Sequence, residues 1–357
     1  MNDTIPDYAV IGSTPMARLL AGLLAGAHGK QVIHVGESAS SYRLPRGIDL
    51  STAVLTRPES WSLLLQGIEE TQKLLRRIGG RGTWTYVNPI FFAEGARAVE
   101  ALSHMGHMAR AFGVAAEPVP TSLLGNGRTG LTLRDAMRFN RAQLEPAIDT
   151  WLDRQGVRRL IPDKVTVRTD GSTSLQVSGD VIEAKQAILA EDSAIIAHLP
   201  LPQWPRLLRR QQNSTILTTP TRPIASPVIL EIASGSMLLQ QGEGGIAGIG
   251  PNDLASFAAH MHALLGRERQ VEQAGQTSFQ ALVTADGAPA VGRASGVGAD
   301  VVAGFGSIGP FLAPSVARWI AGTAARDEDA WLGARLITRS AENSTVGDYA
   351  PVGRKAP

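Results

Sequence analysis

The first apolar positions of the chain fall into blocks set apart by glycine. Tyr8-Ala9-Val10-Ile11 is an unbroken apolar run, too short for a helix, and reads as a buried parallel strand. Gly12 ends it. From Met16 to Leu24 apolar residues recur at helical spacing among good helix formers, and Gly26, His28 and Gly29 stop that helix. Gln31-Val32-Ile33-His34-Val35 is a second apolar strand, followed by Glu37.

The same reading continues downstream. Trp61, Leu64, Leu65, Ile68, Leu74, Leu75 and Ile78 mark the apolar face of a helix over Pro58 to Ile78, closed by Gly79-Gly80. Thr83 to Val87 is predicted as a strand, Ala96 to Phe112 as a helix, and Asn140 to Gln155 as a longer helix ended by Gly156. Val165-Thr166-Val167 and Ser174 to Val177 form a hairpin about Gly171-Ser172. Gln186 to Ala190 reads as a buried strand, and Trp204 to Arg210 as a short helix after prolines. Pro227 to Gly250 is β-rich with glycine turns, the pattern of antiparallel strands, and Asp253 to Leu265 is a helix. No internal repeat and no low-complexity linker divides the chain.

Strand, glycine turn, helix, strand and acid make a βαβ unit of dinucleotide-binding type. A helix N-terminus offers free N–H groups and a partial positive charge to a pyrophosphate. An acid after the second strand can accept hydrogen bonds from ribose hydroxyls. The glycine fingerprint is altered, with Gly12, Thr14 and Ala17 where G-x-G-x-x-G places three glycines. Arg43 and Arg46 follow in the next loop and can neutralise phosphate charge. A second glycine turn lies near the other end. Val301-Val302-Ala303 is a strand, Gly304, Gly306 and Gly309 are a literal G-x-G-x-x-G, and Leu312 to Ala321 is a helix. No apolar strand follows, so this loop cannot start a full nucleotide fold. It is suited to bring backbone N–H groups, a helix N-terminus and the Ser307 hydroxyl to a ligand held elsewhere.

Composition narrows the classes. Of 357 residues 43% are apolar and 18% charged, enough for a sizeable core in one large or two smaller α/β domains. The net charge of +2 is spread out, and Arg76-Arg77 and Arg209-Arg210 are short pairs, so no nucleic-acid surface is expected. Cysteine is absent, which excludes disulfides, thiolate chemistry, cysteine metal sites and a cysteinyl-linked flavin, and fits a reducing compartment. No apolar run is long enough to span a membrane and no signal peptide is evident, so a cytoplasmic protein is expected. His104 and His107 share a helix face but have no third ligand nearby, and no metal is expected.

The two glycine stretches together resemble the FAD-dependent oxidoreductases of the D-amino-acid oxidase, glycine oxidase and sarcosine oxidase type. In that family an N-terminal βαβ unit binds the ADP half of FAD. An Asp-Gly-x-Pro-x-x-Gly run and a glycine-rich strand-to-helix turn then hold the isoalloxazine. Here Asp286-Gly287-Ala288-Pro289-Ala290-Val291-Gly292 is followed by Gly304 to Gly309 and by Leu312-Ala313-Pro314. The resemblance implies a mixed α/β fold: a Rossmann-like FAD-binding domain with a central parallel sheet (1–85, 135–205 and 284–330), a mostly antiparallel substrate or cap domain (86–134 and 206–283), and a tail (331–357).

It also implies the cofactor, FAD, and the positions that contact it. These are Gly12, Thr14, Pro15, Met16, Glu37, Ser38, Arg43 and Arg46 at the first turn and its loop. Val165 is expected near adenine and Ala190 at the end of its strand. Gly304, Gly306, Ser307, Ile308, Gly309 and Pro310 are expected about the isoalloxazine. The chain departs from the family at Thr14, at Glu191-Asp192 where the family has Thr-Gly, and at Ala281-Leu282 where amino-acid oxidases often carry a carboxylate-binding arginine. No catalytic side chain stands out, and Arg293 is the cation expected nearest the flavin. The expected activity is oxidation of the C–N bond of a small amine or amino-acid-like substrate. The alternatives are a non-catalytic or accessory subunit of a hetero-oligomeric flavoprotein complex, or an NAD(P)-dependent dehydrogenase. The chain could act as a homo- or hetero-oligomer.

Overall fold

The computed structural model describes residues 5–37, 43–266 and 268–351. Its organising element is a six-stranded sheet in the order Ala290–Arg293, Asp300–Ala303, Gln186–Leu189, Tyr8–Ile11, Val32–Val35, Arg158–Leu160. All neighbours are parallel except the first pair. The continuous apolar runs follow from burial on both faces. Val10 and Ile188 point into a core built with the helices Pro15–Gly26, Pro58–Ile78, Arg141–Arg154 and Gly309–Ile320. Ile11, Ile33 and Leu189 point the other way, onto the three-stranded meander Lys164–Val167, Thr173–Val177, Asp180–Ala184.

An eight-stranded sheet packs beside this assembly, in the order Gln273–Thr284, Leu208–Thr218, Ile246–Pro251, Met237–Gln240, Val228–Glu231, Ile90–Ala93, Thr129–Leu133, Ala116–Val119. It is antiparallel except where Val228–Glu231 runs parallel to Ile90–Ala93. The ladder between Trp84–Val87 and Ala136–Phe139 joins the two regions. The fold is therefore mixed α/β, a Rossmann-like parallel sheet with a separate, mostly antiparallel one.

Most of the predicted elements form within a residue or two of the expected bounds. The segment Trp204–Arg210 does not form the expected helix. A short 3-10 turn at Leu201–Gln203 precedes it, and Leu208 opens an eleven-residue strand. Pairing with the long strand Gln273–Thr284 satisfies the Leu208–Arg210 backbone and overrides local preference. The described residues beyond 330 fold back against the core. Asp348 accepts hydrogen bonds from the backbone N–H of Thr56 and Arg57, both at 2.8 Å, and from the Ser60 hydroxyl at 2.9 Å, so a carboxylate from the far end of the sequence caps the Pro58–Ile78 helix. Arg335, 1% exposed, stacks on Trp331 with its guanidinium carbon 3.7 Å from the ring centroid.

The Pro58–Ile78 and Gly309–Ile320 helices approach closely at Gly67, where an added Cβ would lie 2.3 Å from the Phe311 carbonyl oxygen. Backbone cannot yield as a side-chain tip can. Gly67→Ala is therefore expected to destabilise the protein by about 1–3 kcal/mol in denaturant unfolding, while Gln66→Ala on the exposed face changes little. Equal stability of the two variants would show that the helices are not in this contact.

Candidate functional site

The turn after the first strand carries a dense set of internal hydrogen bonds. Gly12 N–H donates to the Val35 carbonyl at 2.9 Å. The Gly12 carbonyl accepts from His34 Nε2 at 2.8 Å. Burial pushes the His34 imidazole down to about 4, so at neutral pH it is uncharged and carries the donated hydrogen on Nε2. The Ser13 hydroxyl accepts from Glu37 N–H at 3.0 Å, and Ser13 N–H donates to the Glu191 carboxylate at 2.5 Å. Thr14 is the N-cap of the Pro15–Gly26 helix, its hydroxyl accepting from Ala17 N–H at 3.3 Å, and Pro15 at the first helical position has no N–H to offer. Arg18, 1% exposed in the same helix, donates to the Glu37 carbonyl at 2.8 Å and pairs with Asp149 at 3.2 Å.

Above the C-terminal ends of the parallel strands lies a cavity of about 1520 Å³, walled on the other side by the antiparallel sheet. Usual ligand pockets hold roughly 300–1,000 Å³, and this one is larger. Thr14, Met16 and Ala190 line it from the first turn and its neighbouring strand, and Gly304, Gly306, Ser307, Gly309 and Pro310 from the second. Gly304 and Gly306 have φ of +71° and +52°, a conformation that favours glycine, and nothing lies within 4 Å of where a Cβ on Gly306 would stand. The Ser307 carbonyl accepts from Leu50 N–H at 3.0 Å and its hydroxyl donates to the Thr52 carbonyl at 3.0 Å, fastening residues 50–52 beneath the turn.

The remaining expected positions are placed elsewhere. Gly12 and Pro15 lie behind the cavity wall, and Ile308 is buried in the helical core. Glu37 is exposed, its carboxylate 3.6 Å from Arg43, and neither lines the cavity. Arg46 does line it, with its guanidinium over the Phe279 ring. Val165 sits on the meander against the second core and does not reach the cavity. Ser38 lies outside the described residues. Arg293 is not the cation at the cavity. It pairs across the edge hairpin with Asp300 at 3.4 Å, while Arg46, Arg141, Arg209 and Arg210 line the cavity instead. His104 Nε2 bonds the Thr56 carbonyl at 2.9 Å, and the described residues hold no group of three candidate metal ligands.

Sequence reasoning missed three polar groups on the cavity wall. Asp49, 6% exposed, pairs with Arg141 Nε at 2.6 Å across 92 residues of sequence, a separation that leaves no local signal. Glu231, also 6% exposed, accepts from His260 Nε2 at 2.7 Å and from the Ser234 hydroxyl at 2.5 Å. Its signal was a single acid within the run Val228-Ile229-Leu230-Glu231-Ile232. The Glu231 bond raises the His260 imidazole above its ordinary range. Burial works to raise the Glu231 carboxyl, but the bonds from His260 and Ser234 outweigh it and hold it below the usual value. Asp192 accepts from Leu282 N–H at 2.9 Å, and burial pushes its carboxyl up to about 6 against that bond.

No family model matches the chain, and neither does any curated protein. Solved structures do. L-Proline dehydrogenase from P. horikoshii superposes with a TM-score of 0.71 at 15% identity, over 92% of this chain and 96% of that one. Glycine oxidase from Geobacillus kaustophilus gives 0.67 at 15% identity, over 89% and 94%. NikD, described as an unusual amino acid oxidase essential for nikkomycin biosynthesis, gives 0.68 at 15% identity, over 90% and 96%. The chain shares their fold. At these identities the likeness is one of architecture. No helix among the described residues is long and apolar enough to cross a membrane.

Two titrations follow from the cavity wall. Neutral Asp192 is favoured by the fold, so its contribution to stability is complete below about pH 4 and is lost as the pH rises through about 6. Asp192→Asn keeps an acceptor for Leu282 and cannot ionise. It is expected to melt a few degrees above the wild type at pH 7.5, with the gap narrowing as the pH falls and closing at about pH 3.5. Equal melting at both values would remove the buried charge. Glu231→Gln is expected to return the His260 imidazole toward its ordinary value, a fall read from its ring proton shifts by NMR, and an unmoved titration would break the pairing.

Proposed function

We propose that the chain is an FAD-dependent oxidoreductase that oxidises the C–N bond of an amine or amino-acid-like small molecule. The single observation that carries this reading is the cavity, set between the C-terminal ends of the parallel strands and the face of the antiparallel sheet. The named structural neighbours include an amino-acid dehydrogenase and two amino-acid oxidases on the same architecture.

The residues present fit the isoalloxazine half of FAD. Gly47 and Gly306 show bare backbone to the cavity with open space where a Cβ would stand, and the Gly309–Ile320 helix begins at its wall. For the nucleotide half the chain supplies Glu37 just beyond the second strand, where ribose hydroxyls would be held. When bound, the flavin accepts the hydride removed from the substrate. The protein's own part is to orient. Glu231, with His260, holds a proton at His260 Nε2 on the sheet side. Arg209 and Arg210 stand in register opposite Val283 and Leu282. Both touch the cavity wall, Arg210 with its guanidinium over the Trp204 ring, and a cation on this stretch, where the family carries its carboxylate-binding arginine, suits a substrate with an acid group.

A second reading rests on a separate observation. The Thr14–Pro15 helix cap and the Glu191 bond leave few free donors at the first turn, as expected of an accessory subunit that has lost its flavin. Amine turnover by the isolated chain would eliminate it.

The main reading predicts an absorbance band near 450 nm in the purified protein or after incubation with FAD, and its absence in both would overturn it. Within that reading Glu37→Ala is expected to weaken FAD binding by roughly ten- to a hundredfold, the cost of a charge-assisted hydrogen bond of about 1.5–3 kcal/mol, with little change in folding. Unchanged affinity by fluorescence titration would remove Glu37 from the site.

A further inference from the structure

We propose that Glu191 is a built-in anion that occupies the pyrophosphate position of the nucleotide cradle and must be displaced before a dinucleotide can bind. The inference rests on the reading of the first turn as the nucleotide site.

The argument begins with the donors of that turn. Ser13 N–H is the first amide beyond the tight turn at Gly12, and it already donates to Glu191 Oε2. Pro15 has no amide hydrogen, and Ala17 N–H is taken by the Thr14 hydroxyl. Ser13 stands just before the N-cap, so the protein's own carboxylate sits beside the helix N-terminus, and Met16 is the first-turn residue that still lines the cavity. Glu191 is held there from both sides. Its other oxygen accepts from the Ser193 hydroxyl at 2.8 Å. Its Cβ is packed so near the turn that a Cβ on Gly12 would stand 3.0 Å from it. Strand pairing fixes this placement, because Ile11 and Leu189 are register partners and the two strands reach the turn together.

A carboxylate bonded to an amide at a helix N-terminus offers the same chemistry as a phosphate oxygen: a negative acceptor in the field of the helix. Two such anions cannot share the place. A diphosphate entering the cavity past Thr14 meets both the missing donor and the like charge of Glu191, which lines the cavity beside Ala190. Nucleotide binding is therefore coupled to rotation of one side chain, and the free protein rests in the closed arrangement.

The test uses the full chain and compares wild type, Glu191→Ala and Glu191→Gln, with circular dichroism and melting temperature as the folding check. ADP binding by calorimetry reads the cradle, and FAD binding by absorbance near 450 nm reads the whole cofactor. Glu191→Ala is expected to bind ADP at least tenfold more tightly than wild type. Glu191→Gln, which keeps the acceptor and loses the charge, is expected to fall between them. Equal ADP dissociation constants for wild type and Glu191→Ala, including no measurable binding by either, overturn the inference. If Glu191→Ala does not fold, the same comparison is made with Glu191→Gln, and equality again overturns it. A gain of ADP binding without FAD binding in any variant supports the inference and removes the flavin reading. FAD binding that is strong in wild type and unmoved by the substitutions does the reverse.

Discussion

The strand Tyr8–Ile11 is the seam on which this molecule depends. Its ladders with Val32–Val35 and with Gln186–Leu189 bind together segments about 150 residues apart in sequence. Because both are parallel, every strand end on that side faces the same way, and every loop that follows a strand is delivered to one edge. Gly12, Glu37, Glu191 and Gly304 come from distant stretches of sequence and are brought to that edge by this one constraint. The cost is burial on both faces, met by the continuous apolar runs of the strands and by helices and meander on opposite sides.

Much of this was legible in the residues. The apolar runs at 8–11, at 32–35 about His34 and at 187–189 read as strands covered on two faces, and the glycine turns at 12 and 304 marked where strands ended. The helix over Pro58–Ile78 was legible from its amphipathic stripe alone. What could not be read were features set by partners far along the chain. The segment Trp204–Arg210 was read as a short helix after prolines, and its last three residues joined a strand because Gln273–Thr284 lay alongside to pair with them. Arg293, near the glycine turn in sequence, was drawn to Asp300 across a hairpin, while Arg141, far from it, reached the cavity through the placement of its helix. Sequence distance is a poor guide to a cavity assembled from strand ends.

The polar groups of the cavity divide along the same line. On the antiparallel sheet, Glu231, His260 and Ser234 satisfy one another, and burial makes that mutual satisfaction necessary, since an unpaired carboxylate there would be expensive. On the parallel sheet the Glu191 and Asp192 carboxylates bond backbone amides, and the remaining polar atoms are turn amides and hydroxyls whose positions are fixed by the strands. The first set can be exchanged between relatives by altering side chains. The second cannot be moved without moving the fold, so its chemistry can change only by what is brought to bond it.

That is what the first turn shows. Its geometry is that of a nucleotide cradle, yet Thr14 and Pro15 turn it into an ordinary capped helix start, and Glu191 supplies the anion that such a start attracts. The three residues act in one direction. Threonine removes an amide from the helix end by capping it, proline removes another by chemistry, and glutamate takes a third by charge. A single substitution of this kind would remove one donor from a cradle, whereas the three together leave few amides of the turn free for a ligand. Whatever enters the cavity from this side must therefore offer more to the turn than the protein's own carboxylate does, and the fold alone does not make that difference favourable.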